Sequence, residues 1–289
     1  MKVNGLLESI PFSSTTELKQ KVMGLDEAYE REVYTKVPDG AVGMALGSHM
    51  DRSAEHKGIW NLDRNHLACI ATKRYEIIQH REGFTAAANE LESLGLSVFG
   101  RIRNYGDRVD IQIAFKDHVI EVNGDKLNMG VKLHNSYNLS RVFGGELFSF
   151  RQACTNGMIV GKVVHCQVRQ LHMGLIDVPK LMKDFMADAI NSSEKFKEYV
   201  SVAMADTYEW KLAESVLEQM LTIKKYREMI LNRLKADNDQ GKRLTRWDVY
   251  NSITAVATHG EKISAATFDY LQAKAQDVLI APLELKREA

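Results

Sequence analysis

Histidines, amides, an arginine and a cysteine are concentrated in two blocks of the sequence, where they stand among apolar residues. The first block covers residues 133–136 and 150–157 and extends to His172, and the second covers residues 245–254. Polar side chains packed this densely among apolar ones must form hydrogen bonds with each other or with a ligand. Neither block spells out a catalytic motif, so the sequence assigns no catalytic residue. The polar cluster that we expect to form these hydrogen bonds consists of Asn135, Ser136, Cys154, Asn156 and Asn251.

Basic residues recur at alternate positions along segments that predict strands in the centre of the chain. Alternation places such side chains on one face of a strand, and an antiparallel sheet often leaves one face free of helices. Guanidinium groups on a free face suit phosphate oxygens, and Tyr105 or Tyr137 would stack on bases. The alternative is an ordinary solvated face, balanced by carboxylates such as Asp110. The predicted nucleic-acid-binding residues are Arg101, Arg103, Arg108, Lys132, His134 and Arg151.

A metal site is a weaker hypothesis, resting on the competent ligands Cys154, His165, Cys166 and His172. Their spacing matches no common zinc pattern, in which paired ligands lie about two to four residues apart. We therefore expect neither a metal nor another cofactor. The rival functional hypothesis is a metal-dependent or cysteine–histidine hydrolase acting on nucleic acid. Its candidate residues are His134, Arg151, Cys154, Asn156, His165 and His172.

The second block predicts a helix that joins two halves of the fold. Thr245, with Asp248 three residues later, is close to a capping box at its start. An asparagine in the middle of a helix, beside an apolar face, needs a hydrogen-bond partner. We therefore expect Asn251 to bond a backbone group near Asn135 or Asn156 and so to hold the helical half on the sheet.

The order of the predicted elements indicates an α+β fold, with an antiparallel β-meander sheet packed by helices and a mainly helical C-terminal part. Strand patterns occupy residues 67–78, 98–115, 118–122 and 131–151, with a helix predicted over residues 82–94. From Pro179 onward the periodicity is helical, with Ser192 or Ser193 predicted to cap a second helix and a long amphipathic stretch over residues 216–234. The predicted domains are an irregular or helical N-terminal segment over 1–60, a sheet domain over 61–178 and a helical region packed on the sheet over 179–289.

Composition limits the class of protein further. The chain has 289 residues, and its 38 Lys and Arg balance 38 Asp and Glu, which excludes a globally basic nucleic-acid binder but not a local basic patch. Three cysteines are too few for a disulfide framework, so a reduced cytoplasm is the expected location. No apolar run reaches the roughly 18 residues that span a bilayer, and residues 1–5 lack the apolar stretch of a signal peptide. We therefore expect no membrane partner.

Three ordered segments of the chain resemble a known family. Residues 71–79 (ATKRYEIIQ) resemble the strand that opens the family's domain. An Asn-Ser pair at 135–136 precedes an Arg-x-x-Cys-x-Asn spacing at 151–156, and a Trp-x-x-x-Asn-x-x-Thr segment at 247–254 ends near His259. Over about residues 65–260 the chain thus resembles the phage- and plasmid-like family of domain of unknown function nine-three-two.

This resemblance implies carriage on phages, plasmids or related mobile elements and no established activity. Together with the predicted basic face, it leads us to expect a non-enzymatic, DNA-associated protein of mobile-element replication or recombination. Single-strand binding or annealing by a homo-oligomer fits best, because tracking a strand needs cations and stacking aromatics but no reaction chemistry. The third class is a structural or regulatory protein whose polar blocks only join two subdomains.

Overall fold

A computed structural model describes residues 8–36, 50–122, 125–151, 156–159, 166–238, 243–260 and 263–280. Seven of its strands form one antiparallel sheet in the order β1-β5-β6-β7-β8-β10, with β9 paired to β8. Strands β2, β3 and β4 form a smaller sheet, and β11 pairs with β12. The strands are β1 (Glu8–Phe12), β2 (Ala28–Lys36), β3 (Met50–Asn61), β4 (His66–Thr72), β5 (Val98–Asn104), β6 (Arg108–Val122), β7 (Asp125–Ser136), β8 (Phe143–Arg151), β9 (Asn156–Ile159), β10 (Gln167–Gln170), β11 (Thr207–Tyr208) and β12 (Leu244–Thr245).

Helices follow the strands along most of the chain, which confirms the predicted α+β class. Strands β5 to β8 are consecutive antiparallel neighbours, as expected of a meander. None of the helices in the described ranges is long and apolar enough to cross a membrane. The helices are α1 (Thr15–Val22), α2 (His80–Ser93), α3 (Val178–Ala205), α4 (Trp210–Met220), α5 (Lys224–Asp237), α6 (Arg246–His259) and α7 (Ala265–Ile280).

One face of the large sheet is apolar because every second residue of its central strands is aliphatic or aromatic. Ile111, Val131 and Leu133 are fully buried there, in the same core cluster as Phe84 of α2 and Phe185 of α3. Helices α2 and α3 pack against these strands and against each other. Burial of this face is the main apolar contribution to the stability of the fold.

Local signals in the sequence place the ends of two helices correctly. Helix α2 ends before Gly95, whose φ of 66° is a left-handed conformation that glycine adopts without strain. Helix α6 begins with the full capping box: the Thr245 hydroxyl accepts from the Asp248 amide, and the Asp248 carboxylate accepts from the Thr245 amide. The capping box sets the residue at which α6 begins and therefore which of its side chains face the core.

Five regions differ from the sequence-based prediction. Strands β1, β2 and β3 lie largely within residues 1–60, which were predicted to be irregular or helical; β1 pairs with the distant β5, and β2 and β3 form a sheet with β4. The predicted strand at residues 75–78 is absent, since β4 ends at Thr72. Residues 118–122 continue β6 past an irregularity and do not form a separate strand. Helix α3 runs unbroken past Ser193, whose hydroxyl donates to the Ala189 carbonyl, and the stretch over 216–234 is divided into α4 and α5.

Tyr137 joins the small sheet to the large one and is fully buried. Its hydroxyl donates to the Asp26 carbonyl at 2.9 Å and accepts from the His80 amide at 2.9 Å. The imidazole of His80 stacks on the Tyr137 ring with 3.9 Å between centroids. Tyr137 is therefore a structural link and not the exposed base-stacking residue that the sequence predicts.

Replacing Tyr137 with Phe is expected to lower the free energy of unfolding by about 1–3 kcal/mol, because a buried donor and a buried acceptor lose their shared partner. Urea denaturation measures the change. Tyr226→Phe on α5 is the matched control, since that half-buried hydroxyl has no hydrogen bond to any described residue. Equal midpoints for Tyr137→Phe and the wild type would show that the hydroxyl does not hold the two sheets together.

Candidate anion-binding cleft

Five of the six predicted basic residues share one face of the large sheet, which we call the polar face. Strand pairing aligns Arg103 with Asp110 and Asp110 with His134, so these three side chains lie on the same side, and Arg108 follows them two residues before Asp110. Arg101, Gln112 and Lys132 align in the same way. The sixth position, Arg151, is paired with Leu127 of the apolar face. The alternation that the sequence predicts is therefore correct for β5, β6 and β7 and wrong for β8, where Phe148 and Phe150 lie on the polar face instead.

The expectation that this face is uncovered is wrong for its centre. Lys132 is 2% exposed and His134 6% exposed, because the beginning of α7 lies across them. The ring centroid of Phe268 on α7 is 5.1 Å from the Lys132 ammonium nitrogen and 5.6 Å from the guanidinium carbon of Arg103. Both cations rest on an aromatic face; Lys132 is buried there, and Arg103 remains partly exposed.

Carboxylates also compensate the cations of the polar face. Arg108 donates to both oxygens of Asp110, at 3.0 and 2.6 Å. Burial acts to raise the pKa of Asp110, but Lys132 and Arg108 outweigh it and hold that pKa at about 2. Asp269 of α7 is the second counter-ion, 3.7 Å from Lys132 and 3.9 Å from Arg108. The centre of this face is thus a network of paired charges.

An open cleft of about 730 Å³ lies where the polar face meets α7 and the loop over residues 137–142. Pockets of this size take a nucleotide-sized ligand. Three arginines line it: Arg108, which is paired with Asp110, Arg141, which is paired with Asp269, and Arg169. The residues lining the cleft are Tyr105, Arg108, His134, Asn138, Leu139, Ser140, Arg141, Val142, Gly145, Glu146, Gln167, Val168, Arg169, Ala266 and Asp269.

The Asn-Ser motif shapes the loop that carries Arg141. The Ser136 hydroxyl donates to the Arg141 carbonyl at 2.8 Å and accepts from the Arg141 amide at 2.9 Å, which closes the loop. The side chain of Asn135 donates to the Ile78 carbonyl at 2.7 Å and holds the loop's base to the segment before α2. The Arg141 side chain then reaches Asp269 as an ion pair and remains a quarter exposed toward the cleft.

Arg169 reaches the cleft from β10, the edge strand next to β8. Its strand partner is Gly144, which in turn pairs with His134 of β7. A side chain at position 144 would meet the Val168 carbonyl at 2.4 Å and the His134 ring at 3.2 Å. Glycine at this position lets the imidazole lie over the strand. Among the described residues, Arg169 has no ion-pair partner.

Two further polar groups of the cleft lack a hydrogen bond in the described part of the chain. The Glu146 carboxyl forms none there; burial raises its pKa, although Lys132 and Arg141 lie close enough to act in the opposite direction. Nδ1 of His134 is buried without a hydrogen bond. Burial and the neighbouring Lys132 and Arg141 lower the pKa of His134 to about 3, so its ring is neutral.

The other predicted site residues lie elsewhere or beyond what the structure describes. Cys166 is in the apolar core, where burial raises its pKa to about 11, and His172 stacks on Tyr75 at 4.8 Å. Neither lines the cleft, so His134 and His172 do not share one site. Cys154 and His165 lie outside the described residues, as do the side chains of Arg151 and Asn156. Within the described ranges, no group of three or more histidine, cysteine or acidic residues is placed to hold a metal.

The expected contact between Asn251 and the first block is not formed with Asn135. The Asn135 amide is used by Ile78 and by the His80 ring, at 2.7 and 3.0 Å. The side-chain oxygen of Asn251 is buried and has no hydrogen-bond partner. Helix α6 is held instead by its apolar face, in which Trp247 stacks on Tyr250 with 5.1 Å between centroids.

Sequence reasoning missed Arg141, Arg169 and Glu146. Arg141 lies in a loop, and Arg169 lies on a short edge strand, so neither belongs to the alternating pattern that singled out the other arginines. Glu146 lies between buried residues of β8, next to the glycine pair at 144–145. A single acidic residue in an otherwise apolar strand is the feature of the sequence that could have identified it as a site residue.

Fold and site together define an α+β protein in which an amphipathic antiparallel sheet carries an arginine-lined cleft at one end of its polar face. The family model described as "Domain of unknown function (DUF932)" matches residues 69–279, and the chain belongs to this family. No curated protein and no solved structure matches the chain.

Proposed function

We propose that this protein binds nucleic acid through the cleft, holding backbone phosphates with Arg108, Arg141 and Arg169. The presence of three arginines, from two strands and a loop, in the lining of one cleft is the observation that carries the proposal. Guanidinium groups pair bidentately with phosphate oxygens. Each neutralised phosphate releases counterions, and this release favours binding. The interface predicted from the sequence is thereby moved from the centre of the polar face to its end.

Aromatic residues on the same face support a single-stranded ligand. Tyr105 lines the cleft, with the Arg108 guanidinium 5.5 Å from its ring centroid. At another part of the polar face, Phe99 and Phe150 meet edge to face at 5.5 Å beside Arg101, around a second pocket of about 60 Å³. Bases of a single strand stack on such rings, whereas the bases of a duplex are already stacked on each other.

The proposal extends to the role that the family resemblance implies. A protein that holds single strands suits replication or recombination of a phage- or plasmid-like element in the cytoplasm. Annealing two strands requires several copies to act together, and we include a homo-oligomer in the proposal. No reacting group is required for either task.

Fluorescence anisotropy with a labelled, mixed-sequence single-stranded oligonucleotide tests the proposal. We expect saturable binding that weakens with salt, with a slope of log K against log salt of about −2, because three phosphate contacts release counterions from a single strand. Absence of binding at about 50 mM salt, or affinity that does not change with salt, would refute it. A duplex of the same sequence is the control, and we expect it to bind more weakly.

A further inference from the structure

Glu146 and His134 are two neighbouring groups of the cleft whose hydrogen-bonding capacity the described protein leaves partly unused. Both lie on the polar face, on adjacent strands: Glu146 of β8 pairs with Lys132, and His134 of β7 pairs with Gly144. The two side chains are therefore diagonal neighbours, about 7–8 Å apart between strands in ordinary sheet geometry. Buried polar groups without partners are rare in folded proteins, and Nδ1 of His134 is one of them. Glu146 is only partly exposed and forms no hydrogen bond with a described residue, so a ligand in the cleft can supply a partner to both groups.

Their surroundings favour a ligand with hydrogen-bonding edges and not a second phosphate. A carboxyl group repels a phosphate, so Glu146 cannot share that role with Arg141 and Arg169. A neutral imidazole offers one donor and one acceptor, as His134 does here. The wall of the cleft next to the arginines is thus built for a flat polar group such as a nucleobase.

We propose that the cleft holds one nucleotide with its phosphate on Arg141 and Arg169 and its base against Glu146 and His134, and that it selects bases with an exocyclic amino group. A carboxyl oxygen accepts a hydrogen bond from the amino group of cytosine, adenine or guanine. Uracil and thymine present carbonyl oxygens at these positions, which an acceptor repels. The inference rests on the proposed nucleic-acid binding and adds the base preference of the same site.

The preference for cytosine over uracil belongs to the ionised carboxylate of Glu146. A protonated carboxyl group forms two hydrogen bonds with either base: it donates to the ring nitrogen of cytosine and accepts from its amino group, or donates to a carbonyl oxygen of uracil and accepts from its ring N–H. An ionised carboxylate accepts from the amino group of cytosine, while the two carbonyls that flank the ring N–H of uracil repel it. The titrations are therefore made at neutral pH or above, and the preference should weaken as Glu146 becomes protonated.

Anisotropy titrations with oligodeoxycytidine and oligodeoxyuridine of equal length test the inference, because the two probes differ only at the base edge. We expect the wild type to bind the cytidine probe about tenfold more tightly, as one good pair of hydrogen bonds to a base edge provides. Glu146→Ala should bind both probes equally. Glu121→Ala on β6 is the matched control, since that carboxylate is largely exposed, and it should keep the preference.

Each outcome of the two titrations has a distinct meaning. Equal, salt-sensitive binding of both probes by the wild type overturns the base preference and leaves the proposed function standing. Binding of neither probe overturns both. A preference that persists in Glu146→Ala shows that another residue reads the base. The wild-type comparison needs no variant, so the inference remains testable even if Glu146→Ala fails to fold.

Discussion

Replacing Arg141 and Arg169 together with alanine is expected to weaken single-strand binding by a hundredfold or more. A hydrogen bond between charged groups contributes about 1.5–3 kcal/mol, which corresponds to about tenfold or more for each arginine. The salt slope should also fall by about 1.4, because two phosphate contacts are lost. Anisotropy titrations over a range of salt concentrations measure both quantities.

The control for this pair is Arg233→Ala on α5, an arginine about half exposed and paired with Asp237 one helical turn away. It removes a positive charge at a distance from the cleft, and we expect affinity to change by less than twofold or so, since such exposed pairs contribute little. Thermal unfolding shows whether the double variant is folded. A folded double variant that binds as tightly as the wild type would exclude the cleft as the phosphate-binding site.

Asp110→Asn is expected to cost about 3 kcal/mol of unfolding free energy, the largest single effect on stability that we anticipate. Asp110 accepts two hydrogen bonds from Arg108, and both side chains are largely buried. Removing one partner of a buried ion pair leaves the other charge without compensation, which costs about 3–5 kcal/mol. Lys132, which is 2% exposed, would lose one of its neighbouring carboxylates and keep Asp269, 3.7 Å away, and its strand partner Glu146. Urea denaturation at neutral pH measures the loss.

The low pKa of Asp110 predicts that the free energy of unfolding decreases in acid. Since the folded-state pKa of Asp110 is about 2, below the ordinary 3.8, the ionised group stabilises the fold above about pH 4. That contribution is lost as the pH falls from about 4 to 2, and Asp110→Asn should lack this part of the pH dependence. Asp117→Asn, at an exposed position on the same strand, is the control and should follow the wild type. Identical pH profiles for all three proteins would contradict the assignment.

The paired charges of the polar face also explain how a chain of zero net charge can have a cationic cleft. Asp110 and Asp269 partly compensate Arg108, Lys132 and Arg141, so these cations also contribute to the fold, and Arg108 and Arg141 still line the cleft. Arg169 lines the same cleft and has no carboxylate partner in the described ranges, so it supplies positive charge that the fold does not use. Binding therefore depends on a local excess of positive charge and not on the composition of the chain.

Local patterns made several features predictable from the sequence. Alternation along β6 and β7 correctly separates the apolar face from the polar one, because side chains of a strand point to opposite sides in turn. The capping box at Thr245 and the stop at Gly95 are complete within a few residues, so nothing distant in sequence is needed to define them. The α+β class follows from the order of such local patterns.

Other features depended on contacts between distant segments. Strands β1 and β2 have little periodicity of their own and exist because β5 and β3 complete their hydrogen bonds. Ser193 has the chemistry of a helix cap, yet it lies inside α3, where the surrounding core sustains an unbroken helix. At such positions, packing in the core overrides the local preference of serine for a helix end. The neighbouring residues in the sequence do not show that packing.

The sequence by itself determined the fold class, the family and which residues of β5, β6 and β7 share the polar face of the sheet. Only the tertiary structure decided that α7 covers the centre of that face and that Arg141 and Arg169 join Arg108 at its end. The physical reason is that Asp269 and Phe268 lie more than a hundred residues after the strands they cover. Alternation specifies the side of a strand on which a cation lies, but it contains no information about what packs against that side.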